Sequence, residues 1–212
     1  GYINVDNHKM SKSLNNFFTV RDVAEKYGYE PIRYLMVASH YRSPINYSTE
    51  IIEQCKAALD RLYNCRENLT FLLENAEIGQ KEGEATLKEK FDRHEAHFIE
   101  AMDDDLNTAD AISALFDLAK DINTHLNASS QPSKEICQYA LDMFNRLAGV
   151  LGLLYSRKEQ SLDEEIEALI AQRTRARAEK DWATADRIRD ELKARHVVLE
   201  DTPQGIKWRI EK

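Results

Sequence analysis

The 212-residue chain predicts a mainly α protein, with a helical bundle behind an N-terminal loop and a small α+β module after it. Three observations predict this. Between residues 48 and 155, long segments space their apolar side chains three and four positions apart, as one face of a helix requires. A charged stretch around Ser156 to Ser161 interrupts that pattern. Beyond it, two shorter helical stripes give way to a C-terminal run in which apolar and polar residues alternate, the period of a half-buried strand.

Each element follows from local signals. Thr19 followed by Asp22 predicts a capping box that opens a short helix, and Gly28 suits its end. Pro31 fits the first turn of the next helix, with Ile32, Leu35 and Met36 on one face. Tyr41 to Tyr47 carries too many polar and turn residues for a helix and reads as irregular. Ser48 then caps a long helix whose stripe includes Ile52, Cys55, Leu59, Leu62, Leu69 and Leu72. A break at Gly79 and Gly83 precedes a helix over 85–102 with Leu87, Phe91, Phe98 and Met102. Further helices fall at 107–127 (Ile112, Leu115, Phe116, Ile122) and 133–154 (Ile136, Met143, Phe144, Leu147), separated by a loop over 127–132. Four amphipathic helices with short connections predict a bundle.

In the tail, Ile166, Leu169 and Ile170 mark one helix, and Trp182, Ala185, Ile188 and Leu192 a second. Val197 to Leu199 reads as a strand and Asp201 to Gly205 as a turn. Ile206, Trp208 and Ile210 then alternate with Lys207 and Arg209. The expected parts are therefore 1–47, 48–155 and 163–212.

Composition narrows the class of protein. A hydrophobic fraction of 42% suits a globular chain, and 31% charged residues suit exposed helices. No apolar run has the length of a membrane span, and no signal-peptide pattern opens the chain. The three cysteines, Cys55, Cys65 and Cys137, are scattered, which points to buried thiols in a reducing compartment, the cytoplasm. A net charge of −8 counts against nucleic-acid binding at the level of the total, so the placement of charge has to decide that question.

The most informative segment is Lys9-Met10-Ser11-Lys12-Ser13. Two ammonium groups and two hydroxyls within five residues suit a strap that closes over a triphosphate. The run Ser13-Leu14-Asn15-Asn16-Phe17-Phe18-Thr19-Val20-Arg21-Asp22-Val23 follows it. Further on come Ser39-His40-Tyr41-Arg42-Ser43-Pro44-Ile45-Asn46-Tyr47-Ser48, Met102-Asp103-Asp104-Asp105-Leu106-Asn107-Thr108-Ala109 and Leu199-Glu200-Asp201-Thr202-Pro203-Gln204-Gly205 with Trp208. In these blocks and their order the chain resembles the bacterial-type cysteine–tRNA ligases, over essentially its whole length. It departs from that pattern at Asn15, where Gly is usual. Asn is the next most tolerant residue of a left-handed backbone.

The resemblance implies an ATP-dependent aminoacyl-tRNA synthetase that takes cysteine, ATP and cysteine tRNA and works as a cytoplasmic monomer without a membrane partner. It places Lys12 on ATP with Lys9 as helper, and makes Met10, Ser11 and Ser13 the rest of the ATP loop. Lysines held against the phosphates favour pyrophosphate departure because they stabilise charge that shifts in the transition state. The family's nucleotide-binding catalytic domain and its zinc, whose ligands lie outside this chain, precede the loop. Here no Cys-x-x-Cys occurs and no Cys lies near His at metal-ligand spacing. The chain alone is thus expected to be inactive.

Other residues carry weaker signals. The triplet Asp103-Asp104-Asp105 suits a metal in composition, yet three consecutive side chains diverge, and the helix beginning just after them explains acidic residues there. His40, Tyr41 and Arg42 leave two readings open, a contact with tRNA or an ion pair from Arg42 to a carboxylate across the junction. His94 and His97 stand three apart without a third ligand, which favours a surface or packing role.

In the tail, Arg173, Arg175, Arg177, Lys180, Arg187, Arg189, Lys193 and Arg195 are mixed with Glu179, Asp181, Asp186 and Asp190. Such a set either reads base edges or forms a salt-bridged helical surface. The resemblance favours the first and assigns anticodon contacts to Arg177, Trp182, Asp186 and Asp201. Trp182 suits stacking on a base or packing, whereas Trp208 suits a core position. Two alternatives stand beside this reading. One is a non-catalytic RNA-binding or interaction fragment. The other is the related cysteine–amino sugar ligase, which needs no anticodon module.

Overall fold

A computed structural model describes residues 3–11, 17–127, 130–155, 160–179, 181–202 and 205–210. The side chains of 160–165, 167, 201, 202, 205, 207, 209 and 210 fall outside that description. The chain forms two compact units, Gly1–Tyr155 and Ser156–Lys212.

The first unit opens with a hairpin that the sequence reading did not anticipate. Strands β1 (Ile3–Val5) and β2 (His8–Lys9) pair antiparallel. Asp6 and Asn7 between them sit at φ 49 and 64. A two-residue hairpin turn of type I′ needs positive φ at both central positions, and Asp and Asn tolerate it best after Gly. A third strand, β3 (Ile45–Tyr47), runs parallel to β1, giving the order β2-β1-β3. The segment expected to be irregular thus ends in a strand. At three residues with Asn46 in the middle, it is too short to show a period of two.

Helix α1 (Val20–Tyr27) begins with the expected capping box. Thr19 Oγ1 accepts from Asp22 N at 3.2 Å, and Asp22 Oδ2 accepts from Thr19 N at 2.7 Å. Gly28, at φ 82, ends it and starts α2 (Tyr29–Val37).

The bundle is α3 (Thr49–Asn75), α4 (Glu84–Asp103), α5 (Thr108–His125) and α6 (Lys134–Val150). Its core holds Ile52, Leu62 and Leu69 of α3, Phe91 of α4, Leu115, Leu118 and Ile122 of α5 and Phe144 of α6, all at or near zero exposure. Each such side chain contributes about 1.5–3 kcal/mol. Val23, Tyr34 and Leu35 of α1 and α2 join the same core, so the segment around the loop is built onto the bundle.

Two joints complete the unit. Glu84, buried at the start of α4, accepts from Lys81 N at 2.9 Å and from Ser133 N and Oγ at 2.7 Å each, tying α4 to the beginning of α6. Between α4 and α5 the chain turns through Asp105 and Leu106 at φ 54 and 55, and the Asn107 side chain caps α5 by accepting from Asp110 N.

The second unit contains α7 (Gln160–Ala178), α8 (Trp182–Ala194) and an antiparallel hairpin of β4 (Val197–Thr202) and β5 (Gly205–Ile210). Ile166, Ile188, Leu192 and Val197 form its core, with Leu169, Ile170, Leu199 and Trp208 packed against them. Two boundaries differ from expectation. Helix α7 starts at Gln160, inside the stretch expected to be linker. The strand ladder runs on to the pair Thr202 and Gly205, so Asp201 and Thr202 are strand residues and not turn residues. Backbone pairing continues as far as the geometry of the turn allows, and the polar character of those side chains does not stop it. Among the described residues no helix is long and apolar enough to cross a membrane.

Candidate functional site

Lys9 stands exposed at the end of β2, opposite Asn4 of β1. Asn4 is in turn opposite Asn46 of β3. Residues directly opposite each other in a sheet share a face, so Lys9, Asn4 and Asn46 form one polar row across three strands. Asn46 Oδ1 also accepts the main-chain N–H of Asn7 at 2.8 Å, and Tyr47 O accepts that of Asp6 at 3.0 Å. The turn before Lys9 is thereby tied to β3.

After Lys9, Met10 is half-buried and lines a small apolar cavity of about 50 Å³ with Ile3, Phe18, Val23, Leu35 and Tyr47. Phe18 packs on Tyr47 with ring centroids 4.6 Å apart. Ser11 is half-buried. Lys12, Ser13 and Asn15 lie outside the described residues. The loop therefore springs from a firm base, with the hairpin on one side and the capped start of α1 on the other. Its first lysine has access to solvent, and its methionine faces an apolar seat.

The segment after α2 meets the corner of the bundle. Tyr41 Oη donates to Asp105 Oδ1 at 2.8 Å, and Arg42 Nη2 reaches Asp105 Oδ2 at 3.0 Å. Arg42 Nε donates to Tyr41 Oη at 2.9 Å, and His40 stacks on Tyr41 at 4.8 Å. The ion pair left open by the sequence is thus made within this chain, and Asp105 of the acidic triplet is its partner. His94 packs in the same spirit, with Nε2 2.6 Å from Asp121 Oδ2, while Lys90 holds the other oxygen at 2.9 Å. Among the described residues, no group of three or more His, Cys, Asp or Glu side chains is arranged to hold a metal ion. Burial pushes Cys55 and Cys137 up to about 11 and Cys65 to about 12, far from the thiolate a metal needs.

In the second unit, Asp181 caps α8 by accepting from Thr184 N at 3.1 Å, and the Thr184 hydrogen bonds hold its carboxyl below the usual range. Trp182 follows as the first residue of the helix and is 59% exposed. Asp186, one turn on, lies on the same face of α8 and pairs with Arg189 Nη1 at 3.2 Å. Arg177 is exposed in the last turn of α7, so Arg177, Trp182 and Asp186 flank the α7–α8 turn. Asp201 lies opposite Ile206 near the hairpin end; its side chain, like Lys180, lies outside the described residues. Trp208 packs against the module's core.

The sequence reading missed Asn46, whose partner is 39 positions away and carries no spacing signal. Asp181 stands there only as one acid among several, although an Asp immediately before Trp182, the first residue of the helical stripe, is the local sign of an N-cap.

Three consecutive segments match known protein families. Residues 1–57 match the tRNA synthetases class I (C) catalytic domain, 97–155 the DALR domain, and 159–209 the cysteinyl-tRNA ligase anticodon binding domain. The fold is similar to that of the LeuRS of Agrobacterium radiobacter K84 (agnB2), solved in a ternary complex with tRNA and LeuAMS. That similarity has a TM-score of 0.54 at 17% identity and covers 73% of this chain. This chain spans 22% of the length of that one. The first of these families is a domain of class I tRNA synthetases and the last a domain of cysteinyl-tRNA ligase, so the matches support an aminoacyl-tRNA ligase of class I. The last match, and the order of the three, support a C-terminal segment of a cysteine–tRNA ligase.

Proposed function

We propose that this chain supplies the ATP-closing loop and the tRNA-binding parts of an enzyme that activates cysteine with ATP to cysteinyl-adenylate and transfers it to the 3′ end of cysteine tRNA. The observation that carries the reading is the sequence of three matched domains, with a phosphate-type loop in the first and an anticodon-binding domain in the last. The anticodon-binding match also speaks against an amino-sugar ligase, which has no anticodon to read.

Lys9 and Lys12 meet the phosphates of ATP, with Ser11 and Ser13 as smaller donors. Charge moves from the α-phosphate towards the leaving pyrophosphate, and ammonium groups placed there stabilise the transition state more than bound ATP. Met10 supports this by holding the start of the loop on its apolar seat. In the small module, the Trp182 indole offers a stacking face. Arg177 donates to base edges, and Asp186 and Asp201 accept from them. Zinc belongs to the family's thiol pocket. The described residues of this chain offer no donor set that fits it.

The test is aminoacylation by the full-length protein that contains this chain, with cysteine and with serine as competing substrates. Charging of cysteine tRNA with cysteine supports the proposal. Preferential charging with another amino acid, or of another tRNA, overturns it.

A further inference from the structure

We infer that Asn46 is a positioning residue for Lys9, acting through the turn that precedes it; the inference rests on the reading of Lys9 as an ATP ligand. Strand β2 is two residues long and sits at the edge of its sheet, so among the described residues its only strand neighbour is β1, through the pairs Val5–His8 and Asn4–Lys9. So short a strand does not fix its own end. The turn feeding it is strained as well, because Asp6 and Asn7 both hold left-handed conformations that side-chain-bearing residues adopt at a cost. Such a turn keeps its shape only where its surroundings over-determine it.

The surroundings here come from β3. The Asn46 carboxamide accepts the Asn7 N–H at 2.8 Å, and Tyr47 O accepts the Asp6 N–H at 3.0 Å. Of the two, only the Asn46 bond comes from a side chain, so it can be removed without altering the backbone. Asn46 belongs to the same polar row as Lys9, with Asn4 between them. The strand that bears it is steadied further upstream, where Tyr41 and Arg42 are clasped by Asp105. A lysine that must meet a developing charge within a fraction of an ångström gains from this. Misplacing a catalytic cation by even a small distance lowers rate without abolishing binding.

The experiment measures cysteine-dependent ATP–pyrophosphate exchange by the full-length enzyme containing this chain, with Asn46→Leu, Asn46→Asp and Lys9→Ala singly, and Asn46→Leu combined with Lys9→Ala. Leu lacks the acceptor, whereas Asp keeps it. Loss of one hydrogen bond predicts that Asn46→Leu lowers kcat/KM for ATP about three- to tenfold, with KM for cysteine and thermal midpoint unchanged. Asn46→Asp should return to within about twofold of the native enzyme. Once Lys9 is gone, Asn46→Leu should add less than about twofold, because the residue it positions is absent.

Undiminished activity of Asn46→Leu overturns the inference, as does full additivity with Lys9→Ala, or a loss that tracks the thermal midpoint and is not rescued by Asp. If Asn46→Leu does not accumulate as folded protein, Asn46→Ser, too short to reach Asn7, is judged by the same criteria. Should Lys9→Ala alone leave exchange unchanged, the reading of Lys9 as an ATP ligand falls and takes this inference with it.

Discussion

Glu30 on α2 accepts the main-chain N–H of Leu154 at 2.5 Å, across 124 positions of sequence. Its other oxygen accepts from the Tyr63 hydroxyl at 2.6 Å, and Arg66 donates to Leu154 O, also at 2.6 Å. One residue of α2 and two of α3 thus seize the chain just beyond α6. Arg33 of α2 adds a donor to Leu151 O at 2.9 Å. The grip is needed because the chain leaves α6 through two left-handed residues, Gly152 at φ 66 and Leu154 at φ 59.

Gly152→Ala should destabilise the protein by about 1–2 kcal/mol from the left-handed backbone alone. A Cβ there would also lie 2.7 Å from Arg33 Nη2, so the guanidinium must move and give up Leu151 O. Denaturant titration of Gly152→Ala in native and Arg33→Ala backgrounds separates the two effects. A smaller loss in the Arg33→Ala background is expected; equal losses would show that the guanidinium yields without cost.

Glu84 gives a pH dependence with a definite sign. Burial raises its pKa, but the hydrogen bonds from Lys81 and Ser133 outweigh burial and hold it below its ordinary value of 4.5. The folded state therefore binds this proton less readily than the unfolded chain. The stabilisation is complete above the ordinary carboxylate range and drains away as pH falls through the lowered folded value. Stability curves of native protein and Glu84→Gln should converge on acidification below about pH 4.5. Parallel curves down to pH 3 would remove Glu84 from the acid transition.

Restored to the full-length enzyme, Lys12→Ala should slow adenylate formation far more than it weakens cysteine binding. One transition-state contact of this kind is worth roughly 3–4 kcal/mol, about two to three decades in rate. Single-turnover kinetics with cysteine and ATP make the comparison, and an unchanged rate would exclude Lys12 from activation.

For Arg177, the rival to base recognition is an ion-paired helical surface of the kind seen at Asp186–Arg189 and Arg195–Glu191. If Arg177 touches an anticodon base, Arg177→Ala should penalise cognate tRNA by about 1–3 kcal/mol, and the penalty should shrink when the anticodon is already changed. A phosphate contact would weaken all tRNAs alike and reduce the salt slope. The coupling energy from that double-mutant cycle, read as aminoacylation efficiency, discriminates between them; zero coupling in a folded variant removes the base contact.

The bundle was legible because its signals are local and repeated. Leu62, Leu69, Leu115 and Ile122 announce their helices by spacing, and Thr19, Ser48 and Ser133 announce helix starts by chemistry. The N-terminal sheet was not legible, since strands of two and three residues carry no measurable period and β1 finds β3 some forty positions away. The same limit applies to the candidate site. Its lysines stand out in sequence as a cluster, whereas Asn46 and Asp105 matter through partners that only the folded chain brings near.

Both tryptophans of this chain, Trp182 and Trp208, belong to the small C-terminal unit. Indole emission therefore comes from that unit alone, and the helical bundle, which has tyrosines but no tryptophan, is dark when excitation is selective for indole. The two emitters are also in different surroundings, Trp182 open to solvent at the head of α8 and Trp208 sheltered against Ile166, Ile188 and Leu192. A blue-shifted component from Trp208 reports whether the module is folded. Quenching of the red-shifted component from Trp182 reports what settles on that end of α8. The molecule thus carries a built-in two-colour gauge of its own tail.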